Sequence, residues 1–355
     1  MKAQHLSEIY YARPNEIYQI KQKSLLGNTH FEKEKQCIPI RVPKKWIRGN
    51  GSSIIALFYK TGKDIVCPHF WELKAWIGCP FSCSYCYLQG TFRGAERKNP
   101  RMKDEKLIER YLEEFLRWAD DNGLITLLNT GEIADSLGVP VYVERFLKIA
   151  LPILHKHPRH KILFLTKGGV RHIEVLKQIP KEMRKMFIVS FSINPQVVVE
   201  RFEKGTASSN DRISAANMAQ EMGFEVRIRI DPMIPIEGWV LYYNKLVREL
   251  LDEIKPSRIT LGTLRALMKT RKYTKDRSWL KYVSEPSPWG MRIEGNLRIK
   301  MYELMIETLR EYGFKRPIAL CKETLNVWKV LHLRGLIEYP GKQGVWENVM
   351  CNCKL

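Results

Sequence analysis

The stretch "GCPFSCSYCYLQG" (residues 78–90) places Cys79, Cys83 and Cys86 in a C-x₃-C-x₂-C pattern, directly after the apolar run "HFWELKAWIG" (69–78). From this run onward the chain alternates between short apolar runs and helical patterns. We predict further strands at 124–129, 161–166, 187–193, 225–230 and 258–263, and helices near 103–121, 140–157, 209–222 and 239–254. Such alternation predicts parallel strands joined by right-handed crossovers. The fold is therefore a doubly wound sheet or a β/α barrel, and the cysteines follow its first strand.

Ligands of both folds gather at the carboxyl ends of the strands, which is where the cysteine loop lies. Three thiolates do not complete the four-ligand shell of a structural zinc ion. They can bind three irons of a [4Fe-4S] cube and leave the fourth iron open for another molecule. The alternative is a zinc site that takes Cys67 or His69 as its fourth ligand.

The cysteine spacing, with an aromatic residue just before the last cysteine, resembles the signature of radical S-adenosylmethionine (SAM) enzymes. The resemblance implies that the open iron binds the amino and carboxylate groups of SAM. An electron from the cluster then cleaves SAM and produces a 5′-deoxyadenosyl radical.

Four further segments narrow the resemblance. They are "CSYCYLQ" (83–89), "FSIN" (191–194), "FEKGTASSNDRISAA" (202–216) and "IPIEGW" (234–239). Together they resemble the spore photoproduct lyases, which reverse a thymine dimer in spore DNA, and the resemblance runs from about residue 70 to 302. It implies a partial (β/α)₆ barrel, nucleic acid as substrate with DNA favoured over RNA, and an electron donor such as flavodoxin or ferredoxin.

The resemblance also implies contacts to the cofactor at the strand ends. Glu132, or else Asp135, would accept hydrogen bonds from the methionyl ammonium, although Asp135 could instead cap a helix. Lys167 would bind the cofactor carboxylate. Ser192 and Asn194 would contact the ribose or the methionine.

Three more residues follow from the same resemblance. Asp231 would contact the adenosine, and Tyr85 would lie against the adenine, largely through its backbone. Tyr87 matches a tyrosine that relays a hydrogen atom in the family. Its alternative is a packing residue at the mouth of the barrel.

The chain departs from the family pattern after the second strand. There the family carries a cysteine that donates a hydrogen atom, but the matching position is Glu132, and no cysteine lies between Cys86 and Cys321. A carboxylate cannot donate a hydrogen atom as a thiol does. We therefore expect cofactor chemistry of the family type but leave the exact reaction open.

Three late cysteines form a second group: Cys321, Cys351 and Cys353. They could bind an auxiliary Fe–S cluster or zinc, with Cys37 or Cys67 as a fourth ligand. Alternatively, Cys351 and Cys353 form a mobile thiol pair that supplies the missing hydrogen atom and so acts catalytically. A third alternative is that they are unrelated buried cysteines.

The chain is strongly basic, with 59 Lys+Arg against 38 Asp+Glu and a net charge of +21. This charge favours a polyanionic partner, although a basic surface can also be inert. The segments 93–103 and 268–282 concentrate the charge, and the second interleaves it with Tyr273, Trp279 and Tyr282, which suits stacking on bases.

We predict an N-terminal lobe (1–65), a radical SAM barrel (66–283) and a C-terminal hairpin and helical extension (284–355) in a cytoplasmic protein without a membrane segment. The predicted function is a radical SAM enzyme that repairs or modifies a nucleobase. One alternative is a radical SAM enzyme that rearranges a small molecule or a peptide. A second is a nucleic-acid-binding protein whose cysteines hold structural zinc.

Overall fold

The computed structural model describes residues 8–13, 16–22, 35–47, 53–59, 61–62, 64–92 and 99–355, with side chains from residue 40 onward. Part of the predicted N-terminal lobe, the Cys37 side chain and residues 93–98 of the first basic segment lie outside the described residues. No helix of the described part of the chain combines the length and the apolar character that crossing a bilayer would require.

The strands have the following bounds. They are β1 (Glu8–Arg13), β2 (Glu16–Gln22), β3 (Lys35–Arg41), β4 (Ile55–Phe58), β5 (Ile65–Val66), β6 (Phe70–Leu73), β7 (Trp76–Ile77), β8 (Ser82–Cys83), β9 (Arg101–Met102), β10 (Leu127–Asn129), β11 (Lys161–Thr166), β12 (Phe187–Ser192), β13 (Glu203–Lys204), β14 (Glu225–Met233), β15 (Ile259–Thr263), β16 (Arg265–Ala266), β17 (Glu285–Ser287), β18 (Gly290–Arg292), β19 (Ile318–Leu320) and β20 (Glu323–Thr324).

The helices are α1 (Lys44–Ile47), α2 (Leu88–Thr91), α3 (Glu105–Asp121), α4 (Pro140–Lys156), α5 (Val170–Ile173), α6 (Gln196–Phe202), α7 (Ser209–Glu221), α8 (Trp239–Glu253), α9 (Met268–Tyr273), α10 (Gly295–Glu311) and α11 (Leu325–Leu333). Three short 3₁₀ helices span Glu174–Gln178, Lys181–Met186 and Ser278–Tyr282.

The central sheet has the strand order β19-β15-β14-β12-β11-β10-β6-β4. The six predicted strands are β6, β10, β11, β12, β14 and β15, and they are parallel and in chain order. The predicted partial (β/α)₆ barrel is therefore confirmed. Within the described residues the barrel is open between its edge strands, β4 and β19.

Two strands extend this sheet beyond the predicted set. β19 adds a parallel strand next to β15, and β4 adds an antiparallel strand next to β6. They come from the segments assigned to the C-terminal extension and to the N-terminal lobe. A run as short as "IAL" has no periodicity that distinguishes a strand from a loop. Whether it forms a strand depends on its pairing with the edge of a neighbouring sheet. The boundaries 1–65, 66–283 and 284–355 stay a prediction.

The helices pack on the sheet through apolar stripes. In α3, Ile108, Leu112, Phe115 and Leu116 are buried, as their spacing predicts. Leu107, next to this stripe, is 40% exposed. The cap of α7 is Ser208, whose side chain accepts from the backbone N–H of Asp211. The predicted hairpin within 284–296 forms as β17 and β18.

Candidate active site

A cavity of about 440 Å³ opens at the carboxyl ends of the parallel strands. The three clustered cysteines line it, together with most of the polar residues expected to contact a cofactor. The residues of both kinds are Cys79, Cys83, Cys86, Tyr85, Tyr87, Glu132, Asp135, Lys167, Ser192 and Asp231. The fold therefore brings residues from five separate stretches of the chain around one space.

A short strand pair holds the cysteine loop in place. β8 pairs antiparallel with β13, so that Cys83 lies opposite Glu203. The backbone N–H of Ser84 donates to the carbonyl of Phe202 at 2.8 Å, and the hydroxyl of Thr274 donates to the carbonyl of Ser84 at 2.7 Å. The loop is therefore fixed from two sides by segments that follow later in the chain.

Cys79, Cys83 and Cys86 form no disulfide, and all three line the same cavity. Burial raises the pKa of Cys79 and of Cys83, so neither thiol ionises readily without a cation. No three His, Cys, Asp or Glu side chains of the described chain are arranged to hold a single metal ion. In a cube each thiolate binds its own iron, so three cysteines that line one cavity fit that donor set.

The fourth ligand expected for a zinc site is not part of this cavity. Neither Cys67 nor His69 is among the lining residues. Cys67 instead packs with Ile65 and Phe70, and Cys353 lies against that cluster. The zinc alternative therefore lacks the ligand it needs next to the cysteine loop.

Lys167 follows β11 and is directed to a buried carboxylate. Its ammonium donates to Glu203 Oε1 at 2.9 Å and to Ser192 Oγ at 2.8 Å, and it lies 5.9 Å from the centre of the Tyr85 ring. The hydroxyl of Tyr85 also donates to Glu203. Lys167 thus has the cavity position expected of a carboxylate-binding cation, with Glu203 holding it in place.

Glu203 was not predicted as a site residue. Its carboxylate also accepts from Asn194 Nδ2 at 2.8 Å and pairs with Arg212 at 2.6 Å. Burial would raise the pKa of Glu203, but Lys167, Arg212 and these hydrogen bonds together hold it well below its usual range. The only signal in the sequence was its place in the quoted segment 202–216.

Asp135 and Asn194 have internal partners. The Asp135 carboxylate accepts from the hydroxyl of Thr166 at 2.7 Å and from the backbone N–H groups of Lys167 and Leu137 at 2.7 and 3.0 Å. The alternative helix-cap role of Asp135 is wrong, because α4 begins at Pro140 and its cap is Val139. Asn194 is fully buried and is not among the cavity-lining residues.

Glu132 is paired with Lys322. The two charged groups lie 3.5 Å apart, and Asn129 Nδ2 donates to the same carboxylate at 3.2 Å. The Lys322 ammonium lies 4.5 Å from the centre of Phe58 and 5.1 Å from that of Trp289. Burial alone would lower the pKa of Lys322, but Glu132 raises it, so this lysine stays charged.

Asp231 lies between two arginines that were not predicted as site residues. Arg265 Nη2 contacts its two oxygens at 2.8 and 3.0 Å, and Arg229 Nη2 contacts it at 3.1 Å. Burial raises the pKa of Asp231, but the two arginines lower it to about 2. The alternation of Arg227, Arg229 and Asp231 along β14 was the available signal, because residues two apart share a face of a strand.

Tyr87 is 37% exposed and lines the cavity at the start of α2. Its side chain can therefore reach both the cavity and the solvent. This position accommodates the hydrogen relay implied by the resemblance and also the alternative of packing at the mouth.

Comparison with known proteins assigns the chain to a protein family. A family model described as spore photoproduct lyase matches residues 71–282, more than half of the chain. The chain belongs to the spore photoproduct lyase family. Curated members include the spore photoproduct lyases of Clostridium acetobutylicum (26% identical over 188 residues, 52% of this chain and 52% of that protein) and Bacillus subtilis (27% over 183 residues, 51% of each). The chain thus spans about half the length of the curated relatives it matches.

Solved structures of the family share the fold. A spore photoproduct lyase complexed with a dinucleoside spore photoproduct has a TM-score of 0.61 at 18% identity, covering 71% of this chain and 76% of that one. A double mutant of a spore photoproduct lyase, with bound AdoMet and the same dinucleoside, has a TM-score of 0.58 at 20% identity, covering 70% and 75%. The barrel of this chain is therefore that of the spore photoproduct lyase family.

The C-terminal tail, residues 351–355, lies outside the part of the chain that the family model matches, and it enters the barrel. The Asn352 side chain bonds to Thr260, Ser190 and the carbonyl of Ile228, on three neighbouring strands. Arg227 donates to the carbonyls of residues 352 and 354, and Arg258 to those of 351 and 354. The tail is thus held by side chains of the barrel interior.

The tail places its two cysteines beneath the cavity. Asn129 Nδ2, which also contacts Glu132, lies 3.5 Å from Cys353 Sγ. Neither Cys351 nor Cys353 lines the cavity, whereas Cys321 does. The neighbouring Cys353 holds the pKa of Cys351 below its usual value, against the effect of burial.

The second basic segment lies beside the cysteine loop. Residues 268–282 form α9 and a 3₁₀ helix, and Lys269, Arg271 and Lys272 are exposed. Of the three aromatics expected to stack on bases, Tyr273 is 37% exposed, but Trp279 is fully buried. The prediction for Trp279 is therefore wrong, because its ring packs into the core and no base can reach it.

Proposed function

We propose that the protein is a radical SAM enzyme that repairs or modifies a nucleobase in DNA. The observation that carries this proposal is one cavity at the strand ends in which Cys79, Cys83 and Cys86 face Lys167 and Glu132. The family membership supports it, since the relatives are named spore photoproduct lyases and one structure contains the dinucleoside spore photoproduct. The net charge of +21 agrees with a polyanionic substrate.

The residues divide into three roles. Cys79, Cys83 and Cys86 would hold the [4Fe-4S] cluster, which with SAM supplies a radical able to abstract hydrogen. Lys167 would bind the SAM carboxylate, and Glu203 would position its ammonium. Glu132 would accept from the SAM ammonium, with its carboxylate held by Lys322 and Asn129.

The other assigned residues stay predictions. Ser192 contacts Lys167 and lines the cavity, which supports a cofactor contact. Asp231 also lines the cavity, but Arg265 binds both of its carboxylate oxygens. A contact to adenosine would therefore share these oxygens with Arg265. Asp135 and Asn194 would act through their neighbours and not by direct contact.

Two groups are candidates for the hydrogen-atom donor. Tyr87 lines the cavity and would relay a hydrogen atom. A catalytic role of Cys351 and Cys353 would require their thiols to pass the side chains of Asn129 and Glu132. An external electron donor such as flavodoxin or ferredoxin completes the proposal.

The test combines two measurements on the anaerobically reconstituted chain with SAM and a reductant. Mass spectrometry measures 5′-deoxyadenosine and released or altered bases, with DNA oligonucleotides that carry the spore photoproduct and with undamaged ones. We expect 5′-deoxyadenosine from the parent protein and none from Cys83→Ala, because that cluster would lose a ligand.

The outcomes separate the candidate functions. Formation of 5′-deoxyadenosine with no change in any oligonucleotide would favour the alternative, a radical enzyme acting on a small molecule or a peptide. A colourless protein that retains zinc and forms no 5′-deoxyadenosine would favour the zinc-containing nucleic-acid-binding protein. Equal 5′-deoxyadenosine formation by Cys83→Ala would contradict the cluster assignment.

A further inference from the structure

Four cysteines outside the cysteine loop converge on one region of the barrel. Cys67 directly follows β5 and Cys321 directly precedes Lys322 and β20, and these two strands pair with each other. Cys353 packs against the cluster that contains Cys67. Cys351 lies two residues before Cys353 in the same tail, and Arg258 donates to its carbonyl at 3.0 Å. Three distant segments of the chain thus contribute sulfur atoms to the same place.

One arginine connects two of these sulfurs. Arg229 Nη2 lies 2.8 Å from Cys321 Sγ, and Arg229 Nη1 lies 3.9 Å from Cys353 Sγ. β5 and β20 are antiparallel with Val66 opposite Glu323, so Cys67 and Cys321 lie at the same end of this strand pair. The group is therefore compact, and every member is at least partly buried.

The tail is built to deliver its cysteines. The residue between them, Asn352, is 1% exposed and makes four hydrogen bonds to the barrel. Arg227 donates to the carbonyls of Asn352 and Lys354, and Arg258 donates to those of Cys351 and Lys354. A terminal segment anchored in this way does not fray, so the positions of Cys351 and Cys353 are determined by the fold.

The charges around the group favour thiolates. In the described chain five largely buried cations approach it, Arg227, Arg229, Arg258, Arg265 and Lys322, and three carboxylates pair with them, Glu225, Asp231 and Glu132. Glu225 also pairs with Lys161, so the cations around the group outnumber the carboxylates. Four thiolates on a [4Fe-4S] core carry a net charge of about −2, which this positive environment would stabilise.

We propose that Cys67, Cys321, Cys351 and Cys353 bind a second iron–sulfur cluster. As with Cys79, Cys83 and Cys86, these sulfurs are not gathered around one point as the ligands of one ion are. A cube takes ligands set farther apart, because each thiolate binds a different iron. Since Cys321 also lines the cavity, the second cluster borders the proposed active site.

The test measures iron, sulfide and zinc per chain after anaerobic reconstitution of the full chain with ferrous iron and sulfide. We expect about eight irons in the parent and about four in the variant C79A/C83A/C86A. Adding Cys321→Ser and Cys353→Ser to that variant is expected to remove the remaining iron. Cys37→Ser is the matched control and is expected to leave the iron content unchanged.

Several outcomes would overturn the proposal. They are a variant C79A/C83A/C86A without iron, the same variant with about one zinc and no iron, or iron that persists after Cys321→Ser and Cys353→Ser are added. Circular dichroism and urea unfolding of each variant separate loss of metal from loss of fold. If the cluster at Cys79 fails instead, the parent and C79A/C83A/C86A would hold equal iron, so the two proposals fail in different ways.

Discussion

The sequence predicted that Lys167 binds the cofactor carboxylate, but it did not reveal what holds the ammonium group of Lys167 in place. Its position after β11 agrees with binding an anionic group in the cavity. The structure adds that its ammonium is already held by Glu203 and Ser192. A preorganised cation loses less conformational entropy when it binds a carboxylate, so the ion pair favours binding.

Lys167→Ala is expected to weaken SAM binding about 10- to 100-fold, because a charge-assisted contact contributes roughly 1.5–3 kcal/mol. The iron content should stay that of the parent, since no cysteine is changed. Equilibrium binding and iron analysis check this, with the exposed Lys204→Ala as control. Unchanged SAM affinity would remove Lys167 from the site.

Glu203→Gln tests the buried carboxylate itself. Removing its charge leaves Lys167 and Arg212 without an anionic partner in the protein interior, which should lower the free energy of unfolding at pH 7 by roughly 3–5 kcal/mol. The pKa of Glu203 is lowered by folding. Its stabilisation is therefore complete above the unfolded pKa of about 4.3 and is lost as the pH falls towards the lower folded pKa.

The difference in unfolding free energy between the parent and Glu203→Gln should consequently shrink as the pH falls below about 4. Urea unfolding at a series of pH values measures it, with the exposed Glu200→Gln as control. A difference that stays constant down to about pH 3 would show that folding does not lower the pKa of Glu203.

At the scale of elements, the cysteine loop and the basic segment are joined by a close helix contact. A Cβ atom at Gly90 in α2 would lie 2.6 Å from the backbone of Lys269 and Thr270 in α9. The two helices can approach this closely only because residue 90 has no side chain. The contact couples the position of the cysteines to that of the exposed cations.

Gly90→Ala is therefore expected to push α9 away from α2 and to lower the free energy of unfolding by about 1–3 kcal/mol, the usual effect of overpacking. Urea unfolding measures the effect. Thr91→Ala, an exposed position in the same helix, is the matched control and should change stability little. If Gly90→Ala were as stable as the control, the close contact between α2 and α9 would be wrong.

At the scale of the whole molecule, the net charge of +21 predicts that DNA binding depends on salt. Replacing Lys269, Arg271 and Lys272 together by Ala should flatten the slope of log K against log salt by about 0.9 for each phosphate that the protein no longer neutralises. Fluorescence anisotropy with a duplex at several salt concentrations measures the slope.

The control for this variant removes equal charge elsewhere. Lys148, Lys156 and Lys177 are exposed on other parts of the surface, and their joint replacement by Ala should change the slope less. Equal slopes for both triple variants would mean that the charge acts diffusely and that α9 is not a binding surface. Weak, salt-independent binding by the parent would remove DNA from the proposed function.

The local patterns of the sequence determined much of this protein. Alternating apolar runs determined the six parallel strands, because side chains buried on both faces of a strand must be apolar in sequence. The spacing of Cys79, Cys83 and Cys86 indicated the loop that we propose holds the cluster, because all three residues lie within eight positions of the sequence. The segments quoted for the family resemblance indicated Lys167 and Ser192 at the cavity.

Only the tertiary structure decided which distant residues meet. Glu203 faces Cys83 through a two-residue strand pair, and Arg265 in β16 binds Asp231 of β14. The tail reaches Thr260 and Ser190 across up to 162 positions of sequence. Such contacts depend on how the elements pack, and a single buried polar residue carries no periodic signal that reveals its partner. For this reason Trp279 could be read as exposed and the site of Cys353 could not be foreseen.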